Sequence, residues 1–205
     1  MKKLFIEAKY TKPIKLTKEV VEKLPNKIGL VSSIQFIDSL ESIKKQLKDS
    51  VIAGQILGCN AKPAEKTESK VNAFLYVGDG SFHPLAVALA TKKPVFTFNP
   101  LNNNFSKIKE QDIESYKKRK KGALLKFLSA ENIGILVSTK PGQYYDIKKL
   151  EKLEKKYLNK KFYTFMAETV DYAQLENFPF IGAWVNTACP RIEEDIKIIN
   201  IKDIS

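Results

Sequence analysis

The sequence has few of the residues that mark secreted or membrane proteins. Its two cysteines, Cys59 and Cys189, are too few for a disulfide framework, so we expect thiols or metal ligands. The longest uninterrupted apolar run, residues 85–90, is far shorter than the ~20 residues that cross a bilayer. Residues 1–5 lack the apolar region of a signal peptide. We therefore expect a soluble, cytoplasmic protein that does not span a membrane.

Arginine is also scarce, occurring only at Arg119 and Arg191, so that nearly all of the positive charge is lysine. The 35 Lys and Arg residues outnumber the 23 Asp and Glu residues, and the formal net charge is +12. Such an excess suggests a nucleic-acid or acidic partner, but reading of bases and phosphates favours arginine. The basic run 117–121 falls in a predicted helix, where a solvated face explains it better. We expect no specific nucleic-acid partner.

The apolar pattern predicts an α/β fold. With 205 residues, 43% of them hydrophobic, the chain is long enough to bury a substantial core. Short β-branched runs alternate with stretches of helical periodicity, which is typical of helices packed on a mostly parallel sheet. The predicted strands are residues 4–8, 28–32, 73–77, 95–98, 133–138, 162–166 and 181–185. The predicted helices are residues 17–23, 36–47, 84–90, 107–130 and 147–158, and the clearest predicted loop is 99–105.

Two predicted strands begin alike, with Ile28-Gly29-Leu30-Val31 and Ile133-Gly134-Ile135-Leu136, and each is followed by a predicted amphipathic helix. The likeness predicts two related three-layer α/β units with mostly parallel sheets. Any buried strand can carry such a sequence, so the likeness alone does not establish a duplication. The boundary is expected within the long helix that ends near Ala130, and we assign the units to residues 1–130 and 131–205.

Ligands of open α/β sheets bind at the carboxyl ends of the strands, which directs attention to the segment after strand 73–77. Gly78 and Gly80 allow close approach of the backbone to a ligand, and N–H groups there could hold a carboxylate or phosphate. The third glycine of a dinucleotide fingerprint is missing, since His83 stands in its place. A tight strand-to-helix turn explains the segment equally well.

His83 is the only histidine of the chain, so it cannot form a zinc site or a catalytic dyad with another histidine. A packing or capping role is the simpler explanation, and a functional role would be a hydrogen bond to a substrate. A second polar loop, residues 138–143, follows strand 133–138. There Lys140 and Gln143 could reach an anion or an amide, although an ordinary strand-to-helix connection is an equal alternative.

Cys59 and Cys189 are too far apart in sequence for a local metal clip. A lone cysteine is most often a small buried hydrophobic residue. Each of these two follows an apolar segment and has Gly, Asn, Thr or Pro beside it, so each could project from a loop at the edge of its own unit. Thiolates that meet in this way can hold an iron–sulfur cluster. Both explanations are compatible with the residues.

Five motifs, taken in order, closely resemble those of the archaeal diphthamide synthases. The likeness covers most of residues 5–192, because the helix 86–91 and the strand after it also match. The motifs are Leu30-Val31-Ser32-Ser33-Ile34-Gln35, Gly54-Gln55-Ile56-Leu57-Gly58-Cys59, Val77-Gly78-Asp79-Gly80-Ser81-Phe82-His83-Pro84-Leu85, Ser138-Thr139-Lys140-Pro141-Gly142-Gln143 and Asn186-Thr187-Ala188-Cys189-Pro190-Arg191-Ile192.

The resemblance implies three related α/β domains in the family, each giving one cysteine to a 4Fe-4S cluster. Residues 1–130 would be the second domain, with Cys59 as metal ligand, and residues 131–205 the third, with Cys189. The first domain and its cysteine are absent from this sequence.

The resemblance also implies a radical enzyme that uses S-adenosyl-L-methionine as co-substrate. Three thiolates leave one iron open to bind the methionine part of that molecule. The family transfers the 3-amino-3-carboxypropyl group, as a radical, to a histidine of translation elongation factor 2. By motif match, the residues expected near S-adenosyl-L-methionine are Gly78, Asp79, Gly80, His83 and Gln143.

Two cysteines cannot hold such a cluster in the manner of the family. We therefore expect a separate chain that supplies the first domain and the third cysteine, in a dimeric assembly, and activity only in its presence. The alternative is a non-catalytic scaffold or electron-relay subunit of the same complex. Retention of both motif cysteines argues against that alternative.

Overall fold

The computed structural model describes residues 4, 6–58, 60–140, 150–189 and 198–204. These form two compact units, Met1–Ile113 and Glu114–Ser205. Each unit contains its own sheet with helices packed on it, and the α/β class with mostly parallel sheets is confirmed. The boundary by contacts lies within the long helix that the sequence predicted there. The assignment of residues 1–130 and 131–205 to the second and third domains of the family stays a prediction.

The first unit is built on a five-stranded sheet in the order β2-β1-β3-β4-β5. The first four strands are parallel, and β5 is antiparallel to β4. Its central strands β1 and β3 are buried along their whole length, as apolar runs of five residues predict. The strands are β1 Ile28–Ser32, β2 Ser50–Gln55, β3 Ala73–Val77, β4 Val95–Asn99 and β5 Asn104–Lys107.

Helices cover both faces of this sheet, which makes three layers. Successive strand residues point to opposite faces, so Leu30 packs with the first pair of helices and Val31 with the second. The first pair is α1 Lys18–Lys23 and α2 Leu40–Gln46, and the second is α3 Lys62–Thr67 and α4 Phe82–Thr91. The hydroxyl oxygen of Thr17 accepts from the N–H of Val20 and caps α1.

The second unit has a four-stranded parallel sheet in the order β7-β6-β8-β9. Its strands are β6 Asn132–Ser138, β7 Lys161–Ala167, β8 Ala183–Asn186 and β9 Ile198–Asn200. One face packs on α5, Glu110–Ser129, which begins in the first unit, and on α6, Leu150–Lys156. On the other face, Phe165 of β7 packs with Phe178 and with Leu175 of a 3-10 helix, Tyr172–Asn177.

The two sheets share one topology. The order β2-β1-β3-β4 of the first unit matches β7-β6-β8-β9 of the second, and all pairs in both are parallel. Gly29 of β1 pairs with Phe74 of β3, just as Gly134 of β6 pairs with Trp184 of β8. A Cβ atom on either glycine would collide with the aromatic ring opposite. The likeness noted in the sequence therefore reflects a shared packing arrangement.

The structure corrects several predicted elements. The described residues of segment 4–8 form no strand, and their alternating apolar side chains, Leu4 and Ile6, are 86% and 84% exposed. The predicted loop 99–105 is shorter, because β5 begins at Asn104. The sequence did not predict β2, β5, β9 and α3, each of which has six residues or fewer. No helix in the described part of the chain has the length and apolar character to cross a membrane.

Candidate functional site

The loop after β3 leaves the sheet at its carboxyl edge and needs two glycines for different reasons. The N–H of Gly78 donates to the carbonyl of Phe98, which extends the pairing of β3 with β4. A Cβ on Gly78 would lie 2.6 Å from the hydroxyl of Tyr76, so no larger residue fits. Gly80 has a φ of 76°, in the region that glycine adopts without strain. The loop is therefore shaped by its backbone, as the sequence predicted.

Tyr76 joins this loop to the start of α4. Its hydroxyl lies 3.4 Å from Nδ1 of His83 and 3.4 Å from the carbonyl oxygen of Asp79, to which it donates. The rings of Tyr76 and His83 stack with centroids 5.8 Å apart. Phe82 meets His83 edge-on from the other side. His83 is thereby held in place beside the glycine loop, with one ring nitrogen directed at Tyr76.

Burial sets the ionisation of Tyr76. The side chain lies in the apolar layer between the sheet and α3 and α4, and this burial raises its pKa to about 12. The negative charge of Asp79 acts in the same direction, whereas a hydrogen bond with Ser33 lowers the pKa. Tyr76 is therefore a neutral hydroxyl at physiological pH and serves as a hydrogen-bonding group.

Asp79 is exposed and its carboxylate is oriented by one neighbour. Its Oδ1 accepts from the side-chain amide of Asn99 at 2.8 Å. The Oδ1 of Asn99 accepts in turn from the N–H of Leu101, so the loops after β3 and β4 are joined. The carboxylate retains lone pairs for a cationic group or a hydroxyl. This arrangement suits an amine or ribose of a bound molecule.

Ser32 adds a buried polar atom at the same edge of the first sheet. It is the last residue of β1 and pairs with Val77, which directly precedes Gly78. Its hydroxyl is fully buried, and no residue in the described part of the chain hydrogen-bonds to it. A buried hydroxyl without a partner destabilises a protein and is rare.

Cys189 lies in the loop after β8 of the second unit. The residue is partly exposed, and its thiol forms no disulfide. Asn186, the last residue of β8, is fully buried and its side-chain amide donates to the carbonyl of Cys189 at 3.0 Å. Thr187 donates its hydroxyl to the carbonyl of Leu136 in β6 at 2.8 Å. The loop is thus fastened to the sheet, and the thiol is available as a ligand.

The structure brings together some of the predicted site residues. Gly78, Asp79, Gly80 and His83 share one loop and helix start. Cys189 lies at the carboxyl end of β8 in the other unit. The remaining two are Cys59 and Gln143, which lie outside the described residues. Among the described residues, no group of three or more His, Cys, Asp and Glu side chains forms a metal site.

A thiolate is a suitable donor for iron, and the Cys189 loop fits that role. Cys189 is partly exposed, and the side chain of Asn186 donates to the carbonyl of Cys189 and accepts from the N–H of Ala188. Fixed outer contacts of this kind orient metal ligands in general. Cys59, by its position in the sequence, follows the carboxyl end of β2 in the first unit.

Sequence reasoning missed the residues that support the loops, namely Tyr76, Asn99 and Asn186. Tyr76 lies inside the apolar strand β3 and was taken as a core position, whereas Asn186 directly follows the predicted strand 181–185. A buried polar group at or near the carboxyl end of a strand is the signal that could have identified them, since such a group needs a partner. Asn99 was assigned to a loop, where asparagine is common.

The chain matches the sequence profile of a family described as "Putative diphthamide synthesis protein" over residues 1–197. It is 34% identical over 190 residues to 2-(3-amino-3-carboxypropyl)histidine synthase of Pyrococcus horikoshii, covering 85% of this chain and 53% of the relative. The enzyme of the same name from Methanocaldococcus jannaschii is 33% identical, with 87% and 49% coverage. The chain therefore spans about half the length of the curated relatives it matches.

Solved structures agree with this similarity. The crystal structure of Dph2 from Pyrococcus horikoshii superimposes with a TM-score of 0.74 at 28% identity and covers 90% of this chain and 57% of that one. The structure of the same protein with a 4Fe-4S cluster gives a TM-score of 0.73 at 29% identity, with the same coverage.

Proposed function

Since the chain belongs to the family of diphthamide synthesis proteins, we propose that it is the part of a 2-(3-amino-3-carboxypropyl)histidine synthase that carries two of three cluster ligands. The reaction transfers the 3-amino-3-carboxypropyl group of S-adenosyl-L-methionine to a histidine of translation elongation factor 2. The observation that carries this proposal is the fixed, partly exposed thiol of Cys189 in a fold whose solved neighbour holds a 4Fe-4S cluster.

In this proposal, Cys59 and Cys189 bind iron as thiolates. Held by these thiolates, a reduced 4Fe-4S cluster would supply one electron to cleave the bond between sulfur and the methionine γ-carbon, giving methylthioadenosine and a 3-amino-3-carboxypropyl radical. The chain itself must hold the two thiols in place and exclude competing reactions. The two hydrogen bonds of Asn186 in the Cys189 loop serve the first of these tasks.

The loop after β3 is the proposed contact with S-adenosyl-L-methionine. Backbone N–H groups around Gly78 and Gly80 suit its carboxylate, and Asp79 suits its amine or ribose hydroxyls. His83, which is held by stacking and a hydrogen bond with Tyr76, would line one side of the S-adenosyl-L-methionine site. Gln143 is a further proposed contact. The unpartnered hydroxyl of Ser32 at this edge supports a polar ligand there.

A third thiolate has to come from outside these 205 residues, which contain two cysteines. We assign it to a separate chain that carries the family's first domain, within a dimeric cytoplasmic assembly. Relatives named as subunit 1 of this synthase, such as that of Schizosaccharomyces pombe at 30% identity, support a multi-subunit enzyme. The +12 charge suits an acidic protein substrate.

Anaerobic iron and sulfide analysis with EPR spectra tests this proposal. We compare the chain alone with the chain co-expressed with a first-domain polypeptide. The expected result is about four irons per chain in the complex and little iron in the chain alone. Absence of iron from both samples would contradict the enzyme and favour the scaffold subunit. A full, stable cluster in the chain alone would contradict the separate partner chain.

A further inference from the structure

The loops after β3 and β8 start from the same register position of the two units. Tyr76 pairs with Val31, two residues after Gly29 in β1. Asn186 pairs with Leu136, two residues after Gly134 in β6. Since the two glycines occupy matching places in the shared topology, Tyr76 and Asn186 are equivalent residues.

Both residues hold the following loop in the same way. Each is fully buried, and each donates to the backbone carbonyl three residues later. The hydroxyl of Tyr76 donates to Asp79 at 3.4 Å, and the amide of Asn186 donates to Cys189 at 3.0 Å. Asp79 and Cys189 therefore occupy equivalent positions, although one is a carboxylate and the other a thiol.

Asn186 makes a second contact that Tyr76 lacks. Its Oδ1 accepts from the N–H of Ala188 at 2.9 Å. The planar amide therefore hydrogen-bonds to the loop backbone at both Ala188 and Cys189. A fully buried amide must form such bonds, because an unsatisfied one strongly destabilises the fold. The direction of the loop at Cys189 is therefore set by one side chain.

We propose that Asn186 is a positioning residue that fixes the thiol of Cys189 for iron binding. This inference rests on the proposed function of Cys189 as a cluster ligand. A ligand that is already held in place loses less conformational freedom when the metal binds. Removal of the Asn186 amide keeps the thiol of Cys189 but takes away the hydrogen bonds that hold its backbone.

Alkylation of the metal-free full chain by iodoacetamide, followed by peptide mass spectrometry, measures the mobility of the Cys189 thiol without any activity assay. In Asn186→Ala we expect Cys189 to react faster by roughly fivefold or more, while the rate at Cys59 stays unchanged as an internal reference. The matched control is Thr187→Val, which removes a buried hydrogen bond of the same loop that does not reach Cys189. It should leave the Cys189 rate within about twofold of wild type. Equal rates in Asn186→Ala and wild type would overturn the proposal.

Trp184, the only tryptophan, lies two residues before Asn186 and is buried, so its fluorescence reports whether the second unit is folded. If the Trp184 fluorescence of Asn186→Ala is no longer that of a buried tryptophan, the alkylation rate is measured in Asn186→Asp instead. That variant keeps the acceptor for Ala188 but turns an oxygen toward the carbonyl of Cys189. We expect the Cys189 thiol of this variant to be alkylated faster than that of wild type. A wild-type rate in Asn186→Asp would show that the bond to Cys189 is not what holds the loop.

Cluster spectra separate this inference from the proposed function. In the co-expressed complex, Asn186→Ala should retain less iron and give an altered or broadened EPR signal, with Thr187→Val unchanged. A wild-type signal and iron content in Asn186→Ala would contradict the positioning role while leaving the cluster proposal intact. If the wild-type complex takes up no iron, the proposed function fails, and the alkylation rates of the metal-free chain still decide whether Asn186 holds the loop.

Discussion

The hydroxyl of Tyr76 lies 3.4 Å from Nδ1 of His83, and the two rings stack with an interplanar angle of 14°. A residue at the buried end of β3 thus determines the orientation of the only histidine of the chain. The same hydroxyl reaches the carbonyl of Asp79. The glycine loop and His83 are therefore both contacted by one side chain that the loop motif does not include.

Tyr76→Phe tests this dependence through the pH profile of stability. The tyrosine pKa rises from 10.0 in its ordinary state to about 12 in the folded protein. Between these values the folded chain keeps a proton that the unfolded chain has lost. The stabilisation from Tyr76 is therefore complete below pH 10 and disappears as the pH rises toward 12.

We expect the free energy of unfolding, measured with urea at pH 8, to be about 1 kcal/mol higher for wild type than for Tyr76→Phe. The variant loses the hydrogen bonds of the hydroxyl. The difference should shrink as the pH rises from 10 to 12. Tyr163→Phe is the control, because it removes the same hydroxyl from a strand residue that is 37% exposed. A constant difference between wild type and Tyr76→Phe over this range would contradict the buried, neutral hydroxyl.

Gly78→Ala should destabilise the first unit, because the new Cβ would lie 2.6 Å from the hydroxyl of Tyr76. We expect a loss of about 1–3 kcal/mol in the free energy of unfolding, typical of overpacking. Gly122→Ala in α5 is the matched control. Its Cβ would meet nothing within 4 Å, and alanine favours a helix, so a gain of about 0.5–1 kcal/mol is expected. Chemical denaturation measures both, and equal effects would contradict the close approach at Gly78.

Ser32→Ala separates ligand binding from stability. The Ser32 hydroxyl is buried without a partner among the described residues, so its removal should leave the stability of the chain unchanged or slightly higher. Ser39→Ala is the control, because the Ser39 hydroxyl donates to the carbonyl of Phe36 at 2.6 Å and its loss should cost about 1 kcal/mol.

Binding of S-adenosyl-L-methionine to the assembled complex, measured by calorimetry, should weaken in Ser32→Ala by roughly fivefold or more if the hydroxyl serves the ligand. It should stay at the wild-type value in Ser39→Ala. Wild-type affinity in Ser32→Ala would remove Ser32 from the proposed contact surface.

The central strands of the fold could be predicted from the sequence because burial on both faces requires continuous apolar runs. β1, β3 and β6 carry such runs. β2 and β5 lie at the edges of their sheet and contain no fully buried residue, so the apolar signal is weaker. The reverse error occurred at Leu4 and Ile6, whose alternation mimics a strand although no partner strand is present among the described residues.

For the candidate site, glycine and cysteine motifs could be identified directly, because their chemistry depends on residue type. The supporting contacts could not, because they depend on which strand end lies beside which loop. The bond of Asn99 to Asp79 spans 20 residues and follows from the neighbouring positions of β3 and β4 in the sheet. The roles of Tyr76 and Asn186 became visible only through the shared register of the two units.

The central claim is that Cys59 and Cys189 are ligands of an enzyme's cluster. The most direct test supplies S-adenosyl-L-methionine labelled in its 3-amino-3-carboxypropyl group to the reduced, anaerobic complex with translation elongation factor 2, and locates the label by mass spectrometry. We expect label on one histidine with the wild-type chain and none with Cys59→Ala or Cys189→Ala. Transfer at the wild-type level by both variants would contradict it and assign the chain a scaffold role.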